Sequence, residues 1–172
     1  MYKTVKTISF IIAISFAFTA ISCLDDSVEL EERTPELEAA ELFAFLDEAE
    51  TEGFDVDTSD LGIYYIIYET GSDTLAQAGD TCHLEYTGYL LNGIIFDSSY
   101  DHYVDGIWHL IYKDIQLIQG FDDGIALMGK GTVLDMIIPS QLGYGPYGSD
   151  IIPPYSTLVF SAKMHDILPK TN

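Results

Sequence analysis

The sequence predicts an α+β fold in which a curved antiparallel β-sheet of five to six strands wraps around one short α-helix, preceded by an extension helix. Apolar and polar residues alternate in several segments of residues 61–169, which is the period of half-buried strands. The dipeptide Asn92-Gly93 stands between two apolar runs, as in a tight hairpin. Only one short segment of this region, beginning at Gly120, has helical spacing. Because the apolar faces of the strands can pack only on each other and on that helix, a sheet curved over the helix is the simplest arrangement.

The first 22 residues have the order of a lipoprotein signal peptide. Two lysines precede an uncharged apolar run from Ile8 to Ile21, and Ser22 and Cys23 follow it. The run of about 14 residues is shorter than the roughly 20 that span a bilayer. Residues 20–23 resemble a bacterial lipobox, which predicts that Cys23 is lipidated. The alternative is an ordinary signal peptide that is cut nearby.

Residues 23–60 are predicted to form an acidic tether that contains one helix. The whole chain has 28 Asp and Glu residues against 7 Lys and Arg, and 15 of these acids lie between residues 24 and 60. Segments of this composition bury little apolar area and remain solvated. A net charge of −21 repels phosphate backbones, which excludes DNA and RNA as main partners. Attachment to a membrane is therefore expected to come from acyl chains on Cys23.

The extension helix is predicted over about residues 35–50. Thr34 is a hydroxyl N-cap, Pro35 occupies the first helical position, and Gly53 ends the segment. The helix has an apolar stripe made of Ala39, Leu42, Phe43, Leu46 and Ala49. This stripe either docks on the following domain, which we favour, or pairs with a second copy of the chain.

Residues 61–172 are predicted to form one domain. Its first strand runs from Leu61 to Glu69, and a second strand begins at Gly79-Asp80 and extends to about Leu91. A further strand is expected from Trp108 to Tyr112. We expect the alternating residues Cys82, Leu84 and Tyr86 to face the core.

The second half of the domain contains the short helix and two strands. Phe121, Ile125 and Met128 share one helical face, and Gly129-Lys130-Gly131 predicts a left-handed C-cap at the end of this helix. Strands are expected over 132–138 and from Leu158 to Met164, with their apolar residues on the same side. The four histidines show no zinc-ligand spacing, and the sequence predicts no metal site and no cofactor.

Two segments about fifty residues apart carry a specific motif. Residues 86–99 read Y-T-G-Y-L-L-N-G-I-I-F-D-S-S, and residues 144–160 read Y-G-P-Y-G-S-D-I-I-P-P-Y-S-T-L-V-F. They resemble the FKBP-type peptidyl-prolyl cis-trans isomerases, whose pattern runs Y-T-G-x-L-x-x-G-x-x-F-D-S-S, then V-I-x-G-W, Y-G and I-I-P-P-x-x-x-L-x-F. The resemblance covers roughly residues 61–168. It implies an FKBP-like fold and isomerisation of Xaa-Pro bonds without a metal or cofactor.

The resemblance also implies a set of site residues. Those expected to act on the substrate amide are Tyr86, Phe96, Asp97, Ile118, Tyr144 and Phe160. Those expected to line the substrate-binding surface are Trp108, Leu117, Phe121, Gly143, Ile151 and Ile152. The family's roles imply that the aromatic residues enclose the proline ring. They also imply that the Ile118 backbone N–H and the Tyr144 hydroxyl orient substrate carbonyl groups.

Several positions depart from the family pattern. Phe121 stands where a tryptophan is usual, and the usually basic loop is replaced by acidic and aromatic residues over 100–107. Asp97 has a second interpretation, as a turn acid that caps onto Ser98 or Ser99. These departures keep open an alternative function, a prolyl-peptide binding or chaperone-like lipoprotein of low catalytic activity.

The sequence thus predicts a lipid-anchored isomerase of the cell envelope that assists the folding of exported proteins. We expect it at the outer membrane, on the periplasmic or the surface-exposed face. Its expected partners are proline-containing segments of exported polypeptides and the membrane, through Cys23. Oligomerisation through the helix of residues 35–50 is possible but is not favoured.

Overall fold

The computed structural model of the chain describes residues 33–171. The helices are α1 (Pro35–Thr51), α2 (Ser99–His102) and α3 (Gln119–Ala126). The strands are β1 (Asp57–Thr58), β2 (Tyr64–Glu69), β3 (Thr81–Leu90), β4 (Ile95–Ser98), β5 (Trp108–Ile111), β6 (Val133–Ile138) and β7 (Leu158–Leu168). Within this part of the chain no helix has the length and hydropathy needed to cross a membrane. The predicted signal peptide and Cys23 lie outside the described residues.

The strands form one antiparallel sheet with the order β1-β2-β6-β7-β3-β4, and β5 also pairs with β3. Strand β3 pairs with β5 over Thr81–Leu84 and with β4 over Thr87–Tyr89, so two short strands share one of its edges. This architecture confirms the predicted α+β class. The sheet has seven strands rather than five or six, because β1 has only two residues and is too short to show a period in the sequence.

The two faces of the sheet pack on different helices. Even-numbered residues of β6 and β7, such as Met136 and Phe160, belong to the core that contains Phe121 and Ile125 of α3. Odd-numbered residues of the same strands, such as Ile137, belong to a second cluster on the opposite face, which contains residues of α1. The predicted inward side of these strands is confirmed, and the sheet lies between α3 and α1.

The hairpin predicted at Asn92-Gly93 is confirmed. Gly93 has a φ of +83°, and its N–H donates to the Leu90 carbonyl over 2.8 Å. Glycine adopts this backbone conformation without a steric penalty, which suits it to a tight turn. The turn joins β3 to β4 and thereby places residues 95–98 beside residues 87–89 of β3, at the edge of the sheet.

Helix α1 begins as predicted, because the Thr34 hydroxyl accepts a hydrogen bond from the Leu37 N–H and Pro35 is the first helical residue. It docks on the domain as predicted, through a face that shares Leu42, Leu46 and Ala49 with the predicted stripe. Phe43 is 71% exposed and Ala39 is also exposed, so their assignment to the buried stripe was wrong. The residues that face the sheet are Glu38, Leu42, Phe45, Leu46 and Ala49. The Glu38 carboxylate lies on the same face and binds groups at the base of the neighbouring loop.

The predicted glycine cap of α3 was wrong. The helix ends at Ala126, and its C-cap residue, Leu127, has right-handed helical dihedral angles. Gly129 instead forms a bridge with Leu75, and a Cβ at this position would stand 1.8 Å from the Ser72 carbonyl oxygen. Close approach of two backbone segments therefore explains this glycine.

Candidate active site

The site begins where β3, β4 and β7 bring aromatic residues to one face of the sheet. Gly88 pairs with Phe160 of β7 on one side and with Asp97 of β4 on the other. A Cβ on Gly88 would stand 2.7 Å from the Phe96 ring and 2.8 Å from the Phe160 ring. Only glycine lets both rings approach the strand this closely.

Five aromatic side chains form one cluster around these strands. The Phe160 ring centroid lies 5.4 Å from that of Phe96 and 4.6 Å from that of Phe121. The Tyr86 centroid lies 5.6 Å from Phe121 and 5.8 Å from Trp108. Distances of this size are those of favourable tilted and edge-to-face aromatic contacts. The cluster gives the site a rigid apolar base.

A cavity of about 190 Å³ opens above this cluster. Its walls come from β4, from β7 and from the loop of residues 139–157, which joins β6 to β7. The lining residues are Phe96, Asp97, Tyr144, Ser149, Asp150, Ile151, Ile152 and Phe160. The cavity thus combines aromatic and aliphatic side chains with polar side chains from β4 and from the loop.

Asp97 is held by two side chains. Its Oδ2 accepts a hydrogen bond from the Tyr86 hydroxyl over 2.9 Å, and its Oδ1 lies 2.7 Å from Nε2 of His102. The cap of α2 is made by the Ser98 hydroxyl, which accepts from the Tyr100 N–H. The Ser98 hydroxyl therefore makes the cap that was the second interpretation of Asp97, while the Asp97 carboxylate is bonded to Tyr86 and His102.

The tyrosine hydroxyls near the cavity remain protonated at neutral pH. Burial raises the pKa of Tyr86 well above 10, and the hydrogen bond to Asp97 raises it further. Burial also raises the pKa of Tyr144, with a smaller contribution from the charge of Asp97. Both groups are hydrogen-bond donors. Among residues 33–171 the structure pairs the Tyr86 hydroxyl with Asp97, whereas it shows no such bond for the Tyr144 hydroxyl, which borders the cavity.

The structure brings half of the predicted site residues to the cavity wall. These are Phe96, Asp97, Tyr144, Ile151, Ile152 and Phe160. Tyr86, Trp108 and Phe121 lie behind the wall in the aromatic cluster. The other three predicted residues do not line the cavity. Leu117 and Ile118 are half-buried directly before α3, where they pack against the core, and Gly143 ends a 3-10 turn. The roles of all twelve residues stay predictions.

Several contributors to the site were not identified from the sequence. Gly88 belongs to the Y-T-G motif, and this was the available signal for its importance. Ser99 is fully buried, and its hydroxyl bonds to both the N–H and the carbonyl of Tyr86 over 3.1 and 3.2 Å. His102 and Asp150 carry no local signal, since only the packing of the loops brings them to the site.

Metal and thiol chemistry have no support in the described residues. Between residues 33 and 171 no group of three or more His, Cys, Asp or Glu side chains is arranged to hold a metal ion. Cys82 has 0% exposure, and burial raises the pKa of its thiol to about 11. Cys82 is therefore a core residue, as its place in the strand pattern predicts.

Comparison with known proteins identifies the relatives of this chain. Residues 72–165 match the family model of the FKBP-type peptidyl-prolyl cis-trans isomerases. A protein of Haemophilus influenzae named "Probable FKBP-type peptidyl-prolyl cis-trans isomerase" is 37% identical over 120 residues, which cover 69% of this chain and 48% of that protein. FkpA of Escherichia coli K12, named as an FKBP-type isomerase, is 34% identical over 66% of this chain and 41% of its own length.

Solved structures show the same fold. The crystal structure of FkpA from Escherichia coli matches with a TM-score of 0.66 and 31% identity, and covers 79% of this chain and 61% of that one. This chain spans less than half the length of the curated relatives named above. The match to the family model begins at residue 72, so α1 lies outside it.

Proposed function

Because this chain belongs to the FKBP-type peptidyl-prolyl cis-trans isomerases, we propose that it catalyses the cis-trans isomerisation of Xaa-Pro peptide bonds. The observation that carries this proposal is the cavity between β4, β7 and the loop of residues 139–157. Phe96 and Phe160 supply its apolar walls, and Tyr144 borders it with a protonated hydroxyl. These residues belong to the segment that matches the family.

The reaction needs a shaped environment and no nucleophile. Rotation about a peptide bond costs about 18–20 kcal/mol, because it breaks amide resonance. An Xaa-Pro bond populates both isomers but exchanges them over tens to hundreds of seconds. A catalyst has only to bind the twisted amide more tightly than the planar amide. The twisted amide has a less polarised carbonyl and therefore loses less hydration free energy on entering an apolar cavity.

The side chains of the cavity have separate roles in this mechanism. Phe96, Phe160 and Ile152 contact the proline ring and exclude water from it. Phe121 supports Phe160 from below at a centroid distance of 4.6 Å. Tyr86 holds the Asp97 carboxylate at the wall. The Tyr144 hydroxyl donates to a substrate carbonyl, and each 1.4 kcal/mol of preference for the twisted state accelerates exchange about tenfold.

The sequence supports a cellular setting for this activity. We propose that Cys23 is lipidated and anchors the chain to the outer membrane, with the acidic segment before α1 as a solvated spacer. The substrates would then be proline-containing segments of exported proteins. The strongly acidic chain supports binding through the lipid rather than through anionic headgroups.

A protease-free assay tests the activity. The full-length chain in detergent is compared with buffer on a series of Xaa-Pro peptides, beside Tyr144→Phe and Phe160→Ala. Tyr147→Phe is the matched control, because Tyr147 lies in the same loop and is 89% exposed. We expect both cavity variants to lower kcat/KM and the control to leave it unchanged. A rate equal to buffer, with prolyl peptides still bound, would support the binding-protein alternative instead.

A further inference from the structure

The loop of residues 139–157 carries much of the cavity wall and contains unusual backbone. It supplies Tyr144, Ile151 and Ile152 to the cavity. Asp150 and Tyr155 have positive φ angles of 47° and 49°, which non-glycine residues rarely adopt. Such conformations persist only when the surrounding structure holds them. The groups that hold this loop therefore decide how well the cavity is formed.

One carboxylate joins the two ends of this loop. Glu38 of α1 is 8% exposed, and its Oε1 accepts hydrogen bonds from the Ser140 N–H over 2.6 Å and from the Thr157 hydroxyl over 2.9 Å. Its Oε2 accepts from the Ser140 hydroxyl over 2.5 Å. Ser140 and Thr157 are themselves buried, at 4% and 2% exposure.

A buried carboxylate at this position is costly unless its oxygens are bonded. A charge removed from water loses its hydration, and hydrogen bonds to the charged form recover that loss. Here three donors meet the two oxygens, and all three come from the ends of one loop. An apolar residue at this position would leave these buried donors unpaired, at a cost of about 1–3 kcal/mol for each. The carboxylate instead bonds all three donors and ties α1 to both ends of the loop, which the pairing of Ile138 with Leu158 already places side by side.

A second side chain extends the same contact. Arg33, just before α1, donates from Nε to the Pro154 carbonyl over 3.1 Å and from Nη2 to the Tyr155 carbonyl over 3.0 Å. Its guanidinium is oriented by Glu41, with Nη2 and Oε2 2.6 Å apart. The arginine therefore binds the backbone at the strained residue Tyr155. Together, Arg33 and Glu38 hold the loop near residues 140, 154–155 and 157.

We propose that Glu38 is a positioning residue for the isomerase site and that α1 is part of the structure that forms the cavity. This inference rests on the proposed function, since it names the support of the same site. Helix α1 lies outside residues 72–165, which match the family model, so this support comes from a segment that precedes the match. The segment predicted as a tether thus also contacts the loop that borders the site.

The test compares Glu38→Ala with three other variants of the full-length chain. Glu48→Ala is the matched control, because Glu48 is an exposed acid of the same helix. Leu46→Ala removes packing of α1 on the sheet and leaves the loop contacts in place. Glu38→Gln is the conservative variant, because the new side-chain amide can still accept from the Ser140 N–H and the Thr157 hydroxyl, and the Ser140 hydroxyl can turn to accept from it.

The kcat/KM for isomerisation and the hydrogen exchange of the loop amides are measured for each variant at a temperature where it remains folded. We expect Glu38→Ala to lower kcat/KM about tenfold, since displacement of catalytic groups by 1 Å costs up to about 100-fold. Hydrogen exchange of the amides of residues 144–156 should accelerate about tenfold or more by loss of the same contacts. Glu38→Gln should restore most of both values. Glu48→Ala and Leu46→Ala should stay within about twofold of the unmodified chain in kcat/KM.

The possible outcomes separate this inference from the proposed function. Unchanged kcat/KM and unchanged loop exchange in Glu38→Ala would overturn the inference, as would an equal loss in Leu46→Ala. If the unmodified chain does not catalyse isomerisation, the proposed function fails, and loop exchange alone then decides whether Glu38 positions the loop. If Glu38→Ala does not fold, Thr157→Val removes one of its three hydrogen bonds and Arg33→Ala removes the arginine contacts with the loop backbone. Both are expected to give smaller changes in the same direction. If neither variant changes kcat/KM or the exchange of the loop amides, the inference about Glu38 is overturned as well.

Discussion

A single methyl group on Gly88 tests whether the aromatic cavity is the working site. The substitution Gly88→Ala adds a Cβ that would stand 2.7 Å from the Phe96 ring and 2.8 Å from the Phe160 ring, whereas ordinary contacts begin at about 3.4 Å. Each ring must therefore move by roughly 0.6–0.7 Å, or the strand must shift by a similar amount. Both rings line the cavity, so the change acts directly on its shape.

The expected magnitudes follow from this displacement. Overpacking of a core costs about 1–3 kcal/mol in the free energy of unfolding. Replacement of glycine within a strand recovers about 0.5–1 kcal/mol of this cost, because glycine loses more backbone entropy on folding. The net destabilisation should be about 1–2 kcal/mol. Since a 1 Å misplacement of reacting groups costs up to about 100-fold, we expect kcat/KM to fall about tenfold.

The assay is peptide isomerisation without a protease, combined with urea unfolding of the same samples. Ile137→Val is the matched control, because Ile137 is fully buried on the opposite face of the sheet and its loss of a methylene costs about 0.5–1.5 kcal/mol. This control should be destabilised to a similar degree and keep its activity. If Gly88→Ala retains full activity, or if both variants lose activity equally, the two rings do not form the catalytic cavity.

Three further predictions concern other parts of the chain. The Cys82 thiol should resist alkylation at pH 8 in the folded chain and react once urea unfolds it, because it has no exposure and its pKa is raised to about 11. Asp135 is bonded by three hydroxyl groups, yet burial raises its pKa above 3.8, so its protonated form is favoured by folding. The preference for protonated Asp135 therefore stabilises the fold fully below pH 3.8, and this stabilisation is lost as the pH rises through the raised pKa of Asp135. Over the same pH range, Asp135→Asn should gain free energy of unfolding relative to the unmodified chain, because asparagine carries no charge to bury. Cys23→Ser should abolish incorporation of a labelled fatty acid and release the chain from the membrane fraction.

Each of these predictions has a result that contradicts it. Rapid alkylation of the folded chain would mean that Cys82 is reached by opening of the sheet. For Asp135, the free energy of unfolding is measured with urea at several pH values. A difference between Asp135→Asn and the unmodified chain that does not change with pH would refute the reasoning. Fatty-acid labelling that survives Cys23→Ser would place any lipid elsewhere.

Local patterns in the sequence were sufficient to predict where the strands lie and which of their residues face the core. The alternation of Cys82, Leu84 and Tyr86 predicts the inward face of β3, and all three are buried. The period of two makes this prediction reliable, because adjacent side chains of a strand point to opposite faces. The Asn92-Gly93 hairpin is predictable for a similar reason, since its backbone conformation favours these residue types locally.

Patterns that depend on distant partners were not predictable in the same way. Glu38 resembles a solvated acid in the sequence, and its burial depends on Ser140 and Thr157, which lie more than 100 residues away. The helix face that contains Glu38 packs on the sheet, and Phe43, which belongs to the predicted apolar stripe, is exposed. Helical periodicity finds an apolar stripe but cannot include a hydrogen bond to a remote loop.

Residue patterns alone were enough to predict the α+β class, the strand faces and the start of α1, and they contain the motif that identifies the family. These properties depend on residue spacing and on local backbone preference. Only the folded structure shows which residues meet at the cavity, why a Cβ at position 88 crowds two aromatic rings, and how Glu38 and Arg33 hold the loop of residues 139–157. Such contacts join segments that are close only after the sheet has formed, and their free energy depends on distances that no local pattern contains.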